Sequence, residues 1–132
     1  MPEKNVEIVR RAIAAYGREG LDGVLRFYDP EIEWTSTDDY IEGATYRGHE
    51  GVRRYLGRME DEFKDLQIEP VELIDAGGQV ISRVRFTGRG KASGAPVEMT
   101  LISVGLLRDG LVYRVRNYTD MAGALEAAGL SE

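Results

Sequence analysis

The sequence predicts an α+β fold in which helices come first and a bent, largely antiparallel sheet follows. Apolar residues recur at helical spacing as far as Phe63, and from Leu66 onward they alternate with the period of a β-strand. Turn sequences at 76–78, 92–94 and 109–110 divide this second half into strands. A chain of 132 residues with this pattern fits one domain, spanning 1–132.

Three helices are predicted in the first half. The apolar stripe from Val6 to Tyr16 forms one face of the first helix, and Gly17 and Gly20 end it. A short second helix begins at Leu21 and closes before Pro30, because proline disfavours the helical conformation of the residue before it. The third helix carries the apolar stripe Val52, Leu56, Met59 and Phe63.

Between the second and third helices the pattern predicts a brief strand at 31–34 and a polar loop at 35–48. The later strands are expected at 66–75, 79–90, 96–107 and 111–119. In the first of these, the apolar face changes at Pro70. Proline cannot donate to a strand ladder, so this change predicts a β-bulge or an edge position.

The arginines indicate which face of the sheet is inside. Arg83 and Arg85 share one face of the second long strand, and unpaired arginines are rarely buried. The same reasoning turns Arg114 and Arg116 outward on the last strand. The residues then predicted to face inward are Val80, Ser82, Val84 and Phe86, with Tyr113, Val115, Asn117 and Thr119.

The strand at 96–107 is apolar on both faces. We place Ser103 and the residues that alternate with it inside, because Glu98 then meets the outward arginines across the strands. The outer face keeps Ile102, Val104 and Leu106, and strands that are apolar on both faces usually have both covered. We therefore expect a second copy of the chain to cover this face, in a homodimer.

Composition excludes several function classes. The net charge of −6 argues against nucleic-acid binding, which favours a basic surface. The absence of cysteine excludes disulfides, thiol nucleophiles and cysteine-zinc sites. No apolar run approaches membrane-spanning length. A cytoplasmic location is the expectation, with no membrane or nucleic-acid partner.

The order of elements and four short segments resemble the SnoaL-like family of the nuclear transport factor 2-like superfamily. The resemblance rests on Tyr46–Val52, Arg108–Gly110, Tyr118–Asp120 and Ala124–Leu130. It implies a cone-shaped, cystatin-like fold, in which the curved sheet wraps around the helices, with a pocket at the open end, usually in a homodimer. Members include polyketide cyclases, ketosteroid isomerases, epoxide hydrolases and dehydratases, as well as non-catalytic binding domains.

The same resemblance places the isomerases' base, tyrosine and acid at Thr35, Ala12 and Ser103, none of which has the required side chain. The acids of the epoxide hydrolases belong near Asn117 and Ser103, and the cyclases' partner histidine near Ser103. All these positions are neutral here. The aspartate of the cyclases matches Asp120, which is also a good candidate for the N-cap of a C-terminal helix.

Three functions remain open, the third being a dimerisation or scaffold module, which requires the doubly apolar strand at 96–107 and no cavity. The first is a pocket that binds a small, largely apolar or carbonyl-bearing ligand without catalysis. The second is a cofactor-independent cyclase, isomerase or dehydratase that uses Asp120 as acid/base. No cofactor or metal is predicted, since His49 is the only histidine and is read as a solvated helix-start residue. The predicted ligand-binding residues are Trp34, Tyr40, Tyr55, Met59, Ser82, Val84, Met99, Ser103 and Asn117.

Overall fold

A computed structural model describes residues 2–36 and 45–130 of the chain. Among these residues no helix is long and apolar enough to cross a membrane. The elements are α1 (Pro2–Glu19), α2 (Leu21–Val24), a 3₁₀ turn (Leu25–Phe27), β1 (Tyr28–Thr35), β2 (Thr45–Arg47), α3 (Gly48–Glu62), β3 (Phe63–Asp75), β4 (Gln79–Gly90), β5 (Pro96–Arg108), β6 (Leu111–Tyr118) and α4 (Met121–Ala127).

The first helix ends at a glycine, as predicted, but at only one of the two candidates. Gly20 adopts a φ of +68°, a conformation that glycine takes without steric cost. Its amide donates to the carbonyl of Tyr16 at 2.8 Å. Gly17, also predicted as an end, lies within α1. The helix packs into the core beneath the sheet through Ala12 and Tyr16, and Ala15 is also buried, beside Gly23 of α2.

The six described strands form one curved, open sheet in the order β2-β1-β6-β5-β4-β3. Neighbouring strands are antiparallel except β1 and β6, which run parallel. The predicted α+β class and the mixed, wrapped sheet are confirmed. The concave inner face holds α1 and α3, and the main hydrophobic core lies between them and the sheet.

The bulge predicted at Pro70 is present. The register between β3 and β4 shifts between Pro70 and Glu72, and the extra residue, Val71, is 50% exposed. The shift allows Ile68 to pack on the inner core while Ile74 packs on the outer one. A single inserted residue thus moves the apolar side chains of β3 from one face to the other.

Another bulge lies in β6 and corrects the predicted inner face there. Leu106 pairs with Arg114, whereas Leu107 pairs with Val112, so Tyr113 is the inserted residue. Val112 is buried against the inner core instead of Tyr113, whose ring lies 4.2 Å from the Arg108 guanidinium. Beyond the bulge, Val115 and Asn117 face inward as predicted. Thr119 lies past the end of the strand and is exposed, so its predicted inward position is wrong.

The outward orientation of the arginines is confirmed. Arg83 forms an ion pair with Glu72 at 3.0 Å, and Arg85 pairs with Glu69 and, at 3.4 Å, with Glu98. The Glu98 contact is the cross-strand pair expected from the sequence. Arg114 and Arg116 are exposed on the same outer face. The inner face of the sheet therefore carries none of these four cations.

The C-terminal helix covers part of the outer face for which a second copy was expected. Ile81, Ile102 and Val104 form a buried cluster with Ala124 of α4, and Leu125 packs against it. Ile102 and Val104 are each 9% exposed within the single chain. The apolar character of these residues is therefore explained by their burial beneath α4, without a partner subunit. The homodimer remains a prediction.

Candidate functional site

A narrow cavity of about 80 Å³ lies between the helices and the concave face of the sheet. Its wall is apolar and aromatic, with two serine hydroxyls, and no charged side chain is among the described residues that line it. The lining comes from α1 (Val9, Ala12, Ile13, Tyr16), from α2 and β1 (Val24, Tyr28, Trp34), from α3 and β3 (Leu56, Ile68), and from β4, β5 and β6 (Val80, Ser82, Val84, Phe86, Leu101, Ser103, Gly105, Val112, Val115).

A wider groove of about 360 Å³ adjoins this cavity. Phe86 and Leu101 line both spaces, so these two side chains stand between them. The groove is more polar than the cavity, because Arg58, Glu62 and Thr100 lie at its edge. Its remaining lining residues are Tyr55, Met59, Phe63 and Met99.

The structure distributes the predicted ligand-binding residues between the two spaces. Trp34, Ser82, Val84 and Ser103 line the inner cavity. Tyr55, Met59 and Met99 line the groove. Asn117 lines neither space: it is 1% exposed and pairs in register with Ser103 on the inner face of the sheet. Tyr40, with the acidic residues around it, falls outside the described residues.

Asn117 links the sheet to α3. Its Nδ2 donates to the Tyr55 hydroxyl at 2.8 Å, in a buried contact between residues 62 positions apart. Tyr55 in turn packs against Trp34, with ring centroids 5.3 Å apart. Trp34, Tyr55 and Asn117 therefore form one buried unit, in which the Asn117 amide bonds to Tyr55 and the two aromatic rings pack against each other.

Two buried polar atoms in this unit have no hydrogen-bond partner among the described residues. They are the indole nitrogen of Trp34 and the Oδ1 of Asn117. The two residues are 5% and 1% exposed. An unsatisfied buried donor or acceptor costs about 1–3 kcal/mol, so native proteins usually pair such groups with protein, water or ligand.

Asp120 does not lie in the cavity. It is the N-cap of α4, where its Oδ1 accepts a hydrogen bond from the Gly123 amide at 2.8 Å, and the residue is exposed. A carboxylate held there satisfies the free amides of a helix start. This geometry agrees with the N-cap expected at Asp120 from the sequence, and it disfavours the alternative in which Asp120 acts as an acid/base on a bound substrate.

Two other positions differ from their predicted environments. His49 is half-buried at the start of α3, and its Nε2 lies 2.8 Å from the carbonyl oxygen of Tyr28, so it ties α3 to β1 instead of being solvated. Thr35, the position of the isomerases' base, faces away from the cavity and bonds to the Thr45 hydroxyl at 3.2 Å. The preceding residue, Trp34, takes the inward position because strand side chains alternate.

Two tyrosines that were not among the predicted ligand-binding residues, Tyr16 and Tyr28, also line the cavity. Burial raises the pKa of the Tyr16 phenol above its usual value, and the Glu60 carboxylate, 3.1 Å away, raises it further. Burial also raises the pKa of Tyr28. Tyr16 was read only as part of a helical stripe and Tyr28 as the end of a short helix. Both phenols are protonated at neutral pH and are donors, not bases.

The Tyr28 shift predicts a loss of stability in alkali. A phenol with a raised folded pKa contributes stability that is complete below its unfolded pKa, near 10, and that disappears as pH rises towards the folded value. Above pH 10, the unfolding free energy of the Tyr28→Phe variant should fall less steeply with pH than that of the wild-type protein, by about 1.4 kcal/mol per pH unit. Urea unfolding between pH 9 and pH 11.5 measures this. Parallel curves for the two proteins would contradict it.

Among the described residues, no group of three histidine or carboxylate side chains is close enough to hold a metal ion. The site residues that converge in the cavity are neutral. The arrangement can enclose an apolar group and offer it the serine hydroxyls of Ser82 and Ser103.

Comparisons with known proteins agree with this architecture. The family model of the SnoaL-like domain matches residues 9–115. An NTF2-like protein from Burkholderia thailandensis E264 is 25% identical, with 95% of this chain and 96% of that chain covered and a TM-score of 0.74. A proposed SnoaL-like polyketide cyclase from Jannaschia sp. CCS1 is 21% identical, with coverages of 99% and 95% and a TM-score of 0.75.

TerC, co-crystallised with polyporic acid, is 20% identical, with coverages of 96% and 98% and a TM-score of 0.73. Among proteins of curated function, none matches this sequence.

Proposed function

This chain belongs to the SnoaL-like family, and from that premise we propose that it binds a small, uncharged, largely apolar molecule in its inner cavity without catalysing a reaction. The proposal depends above all on the cavity wall, which is aromatic and aliphatic and has no charged side chain among its described residues. An apolar wall with a few placed polar groups is the usual composition of a small-molecule site.

The volume limits the size of the ligand. Sites for drug-sized molecules usually measure about 300–1,000 Å³, whereas this cavity measures about 80 Å³. It suits a ligand with one ring. A longer ligand would have to displace Phe86 or Leu101 to extend into the adjoining groove of about 360 Å³. The TerC structure, which was co-crystallised with polyporic acid, supports small organic molecules as ligands of this fold.

The polar groups favour binding over proton transfer. Neither a carboxylate nor an imidazole is among the described lining residues, and a general base must lie within hydrogen-bonding reach of the proton that it removes. Asp120, the residue on which the enzymatic alternative depends, caps α4. A homodimer and a cytoplasmic location complete the proposal as predictions from the sequence.

Trp34 provides the experiment, because it is the only tryptophan of the chain and lines the cavity. We expect toluene, a neutral one-ring probe, to change its emission in a saturable way, with a Kd on the order of 1 mM or lower. Benzoate, which has the same ring with a negative charge, should leave the emission unchanged, because ion burial in an apolar cavity is costly.

The emission should be excited at a wavelength that tryptophan alone absorbs, and a thermal-unfolding shift should accompany it, since a ligand of the native state stabilises that state. If toluene produced neither saturable emission change nor stabilisation up to its solubility, the proposed binding function would be rejected. Equal responses to toluene and benzoate would reject the uncharged site.

A further inference from the structure

The phenol ring of Tyr28 forms part of the cavity wall at the start of β1. Tyr28 pairs in register with Val112 of β6, which also lines the cavity. Its ring packs beside the indole of Trp34, with ring centroids 6.1 Å apart. Val112 and Trp34 both belong to the main hydrophobic core, so the ring of Tyr28 is held on the inner side of the sheet.

The hydroxyl of Tyr28 has no hydrogen-bond partner within the described part of the chain. His49 Nε2 contacts the backbone carbonyl of this residue, at 2.8 Å, and not its side chain. Tyr16, the other tyrosine among the described lining residues, differs because its hydroxyl donates to Glu60 at 3.1 Å. Of these two phenols, only that of Tyr28 therefore has a proton to offer to a bound molecule.

This hydroxyl can be reached from the cavity. The indole nitrogen of Trp34 and the Oδ1 of Asn117 also lack partners, but both of these atoms are fully buried. The hydroxyl oxygen of Tyr28 is not fully buried, although it lacks a partner, so it retains accessible surface. Its ring lines the cavity, and burial raises the pKa of its phenol, so this surface faces the cavity and not bulk solvent.

The serine pair gives the cavity wall a further spare donor. Ser82 and Ser103 both line the cavity, and their hydroxyl oxygens lie 2.9 Å apart, so one hydroxyl donates to the other. Two hydroxyl groups carry two protons, and this bond uses only one of them. Neither a carboxylate nor an imidazole is among the described lining residues to accept the other. The described wall thus offers more hydrogen-bond donors than it satisfies.

We propose that the ligand carries an uncharged acceptor oxygen, as in a ketone, ester or ether, and that this oxygen accepts a hydrogen bond from the Tyr28 hydroxyl. This inference rests on the proposed binding function and specifies its ligand class. A hydrocarbon fills the cavity but leaves the phenol proton unpaired, which is costly for a buried donor. A carboxylate also accepts, but it brings a charge into an uncharged wall.

Two probes of equal size test the acceptor: cyclohexanone has a carbonyl oxygen where methylcyclohexane has a methyl group, and neither has a donor. Tyr28→Phe removes the hydroxyl and keeps the ring. It should weaken cyclohexanone binding by about fivefold, the effect of one neutral hydrogen bond, and leave methylcyclohexane affinity unchanged within about twofold. Trp34 emission and calorimetry at neutral pH measure both affinities. Comparing their ratio between proteins cancels the different hydration of the two probes.

Tyr113→Phe is the matched control, because it removes the same hydroxyl from a tyrosine of β6 whose ring lies against Arg108 and does not line the cavity. Its cyclohexanone-to-methylcyclohexane affinity ratio should equal that of the wild-type protein. A ratio that falls equally in Tyr113→Phe and Tyr28→Phe would overturn the assignment of the acceptor oxygen to Tyr28.

The wild-type protein also provides a test without any substitution. The infrared carbonyl band of bound cyclohexanone should lie at lower frequency than in a hydrocarbon solvent, because a hydrogen bond weakens the carbonyl bond. A band at the hydrocarbon position would overturn the inference. If toluene and methylcyclohexane bind but Tyr28→Phe leaves the affinity ratio unchanged, only this inference fails. If neither hydrocarbon binds, the proposed function fails with it.

Discussion

Replacing Ile81 by alanine is expected to lower the free energy of unfolding by about 2–5 kcal/mol, the usual range for removing a large aliphatic side chain from a core. Ile81 is 0% exposed and packs with Ile102, Val104 and Ala124 beneath α4. Because α4 of the same chain covers Ile81, the decrease in unfolding free energy should be the same at low and high protein concentration. Urea unfolding at two concentrations measures it.

Val71→Ala is the control for this experiment. Val71 is the bulged residue of β3 and is 50% exposed, so its truncation should change stability by no more than about 0.5 kcal/mol. A loss at Ile81 that grew on dilution would indicate that a second copy, and not α4, buries this side chain, because oligomer stability depends on protomer concentration.

Filling the cavity from Gly105 is expected to weaken toluene binding while preserving the fold. Gly105 lines the cavity, and a Cβ atom there would make ordinary contacts, 3.8 Å from Val112 and 3.9 Å from the Val80 carbonyl oxygen. Gly105→Ala should weaken toluene binding moderately. It should also stabilise the protein by about 0.4–1 kcal/mol through the lower entropy of the unfolded chain.

Gly105→Val should reduce toluene affinity by more than about tenfold, since its isopropyl group occupies much of a space of about 80 Å³. Gly57→Ala is the matched control: it lies in α3, where an added Cβ meets nothing within 4 Å. It should stabilise the helix by about 1 kcal/mol without changing affinity. Unchanged toluene binding in folded Gly105→Val would place the binding site elsewhere.

The residues of the cavity wall differ from the catalytic residues that the resemblance to cyclases and isomerases would place there. At the cavity positions where the resemblance would place acids, tyrosine or histidine, this chain has Ala12 and Ser103. Tyr16, one helical turn after Ala12, does bring a phenol to the cavity, but its hydroxyl bonds to Glu60. The remaining polar atoms are suited to orient a neutral group, and this difference supports binding as the proposed activity.

The sequence by itself determined the order of the elements except β2, which lies in the segment predicted as a loop, together with the outward face of Arg83 and Arg85 and the bulge after Pro70. Each of these follows from local rules: the period of apolar residues, the cost of burying a charge, and the missing amide of proline. Strand parity also placed Ser82, Val84 and Ser103 on the inner face, where they line the cavity, because the inward parity of a regular strand extends to all its alternate positions.

Tertiary structure alone decided the features that depend on how distant segments meet. The bulge at Tyr113 moves Val112 inward through the register between β5 and β6, and nothing in the alternation of β6 marks it. The Tyr55–Asn117 bond joins residues 62 positions apart. Helix α4 of the same chain covers the face that the sequence assigns to a partner. Long-range register and packing set these outcomes, and local periodicity does not encode them.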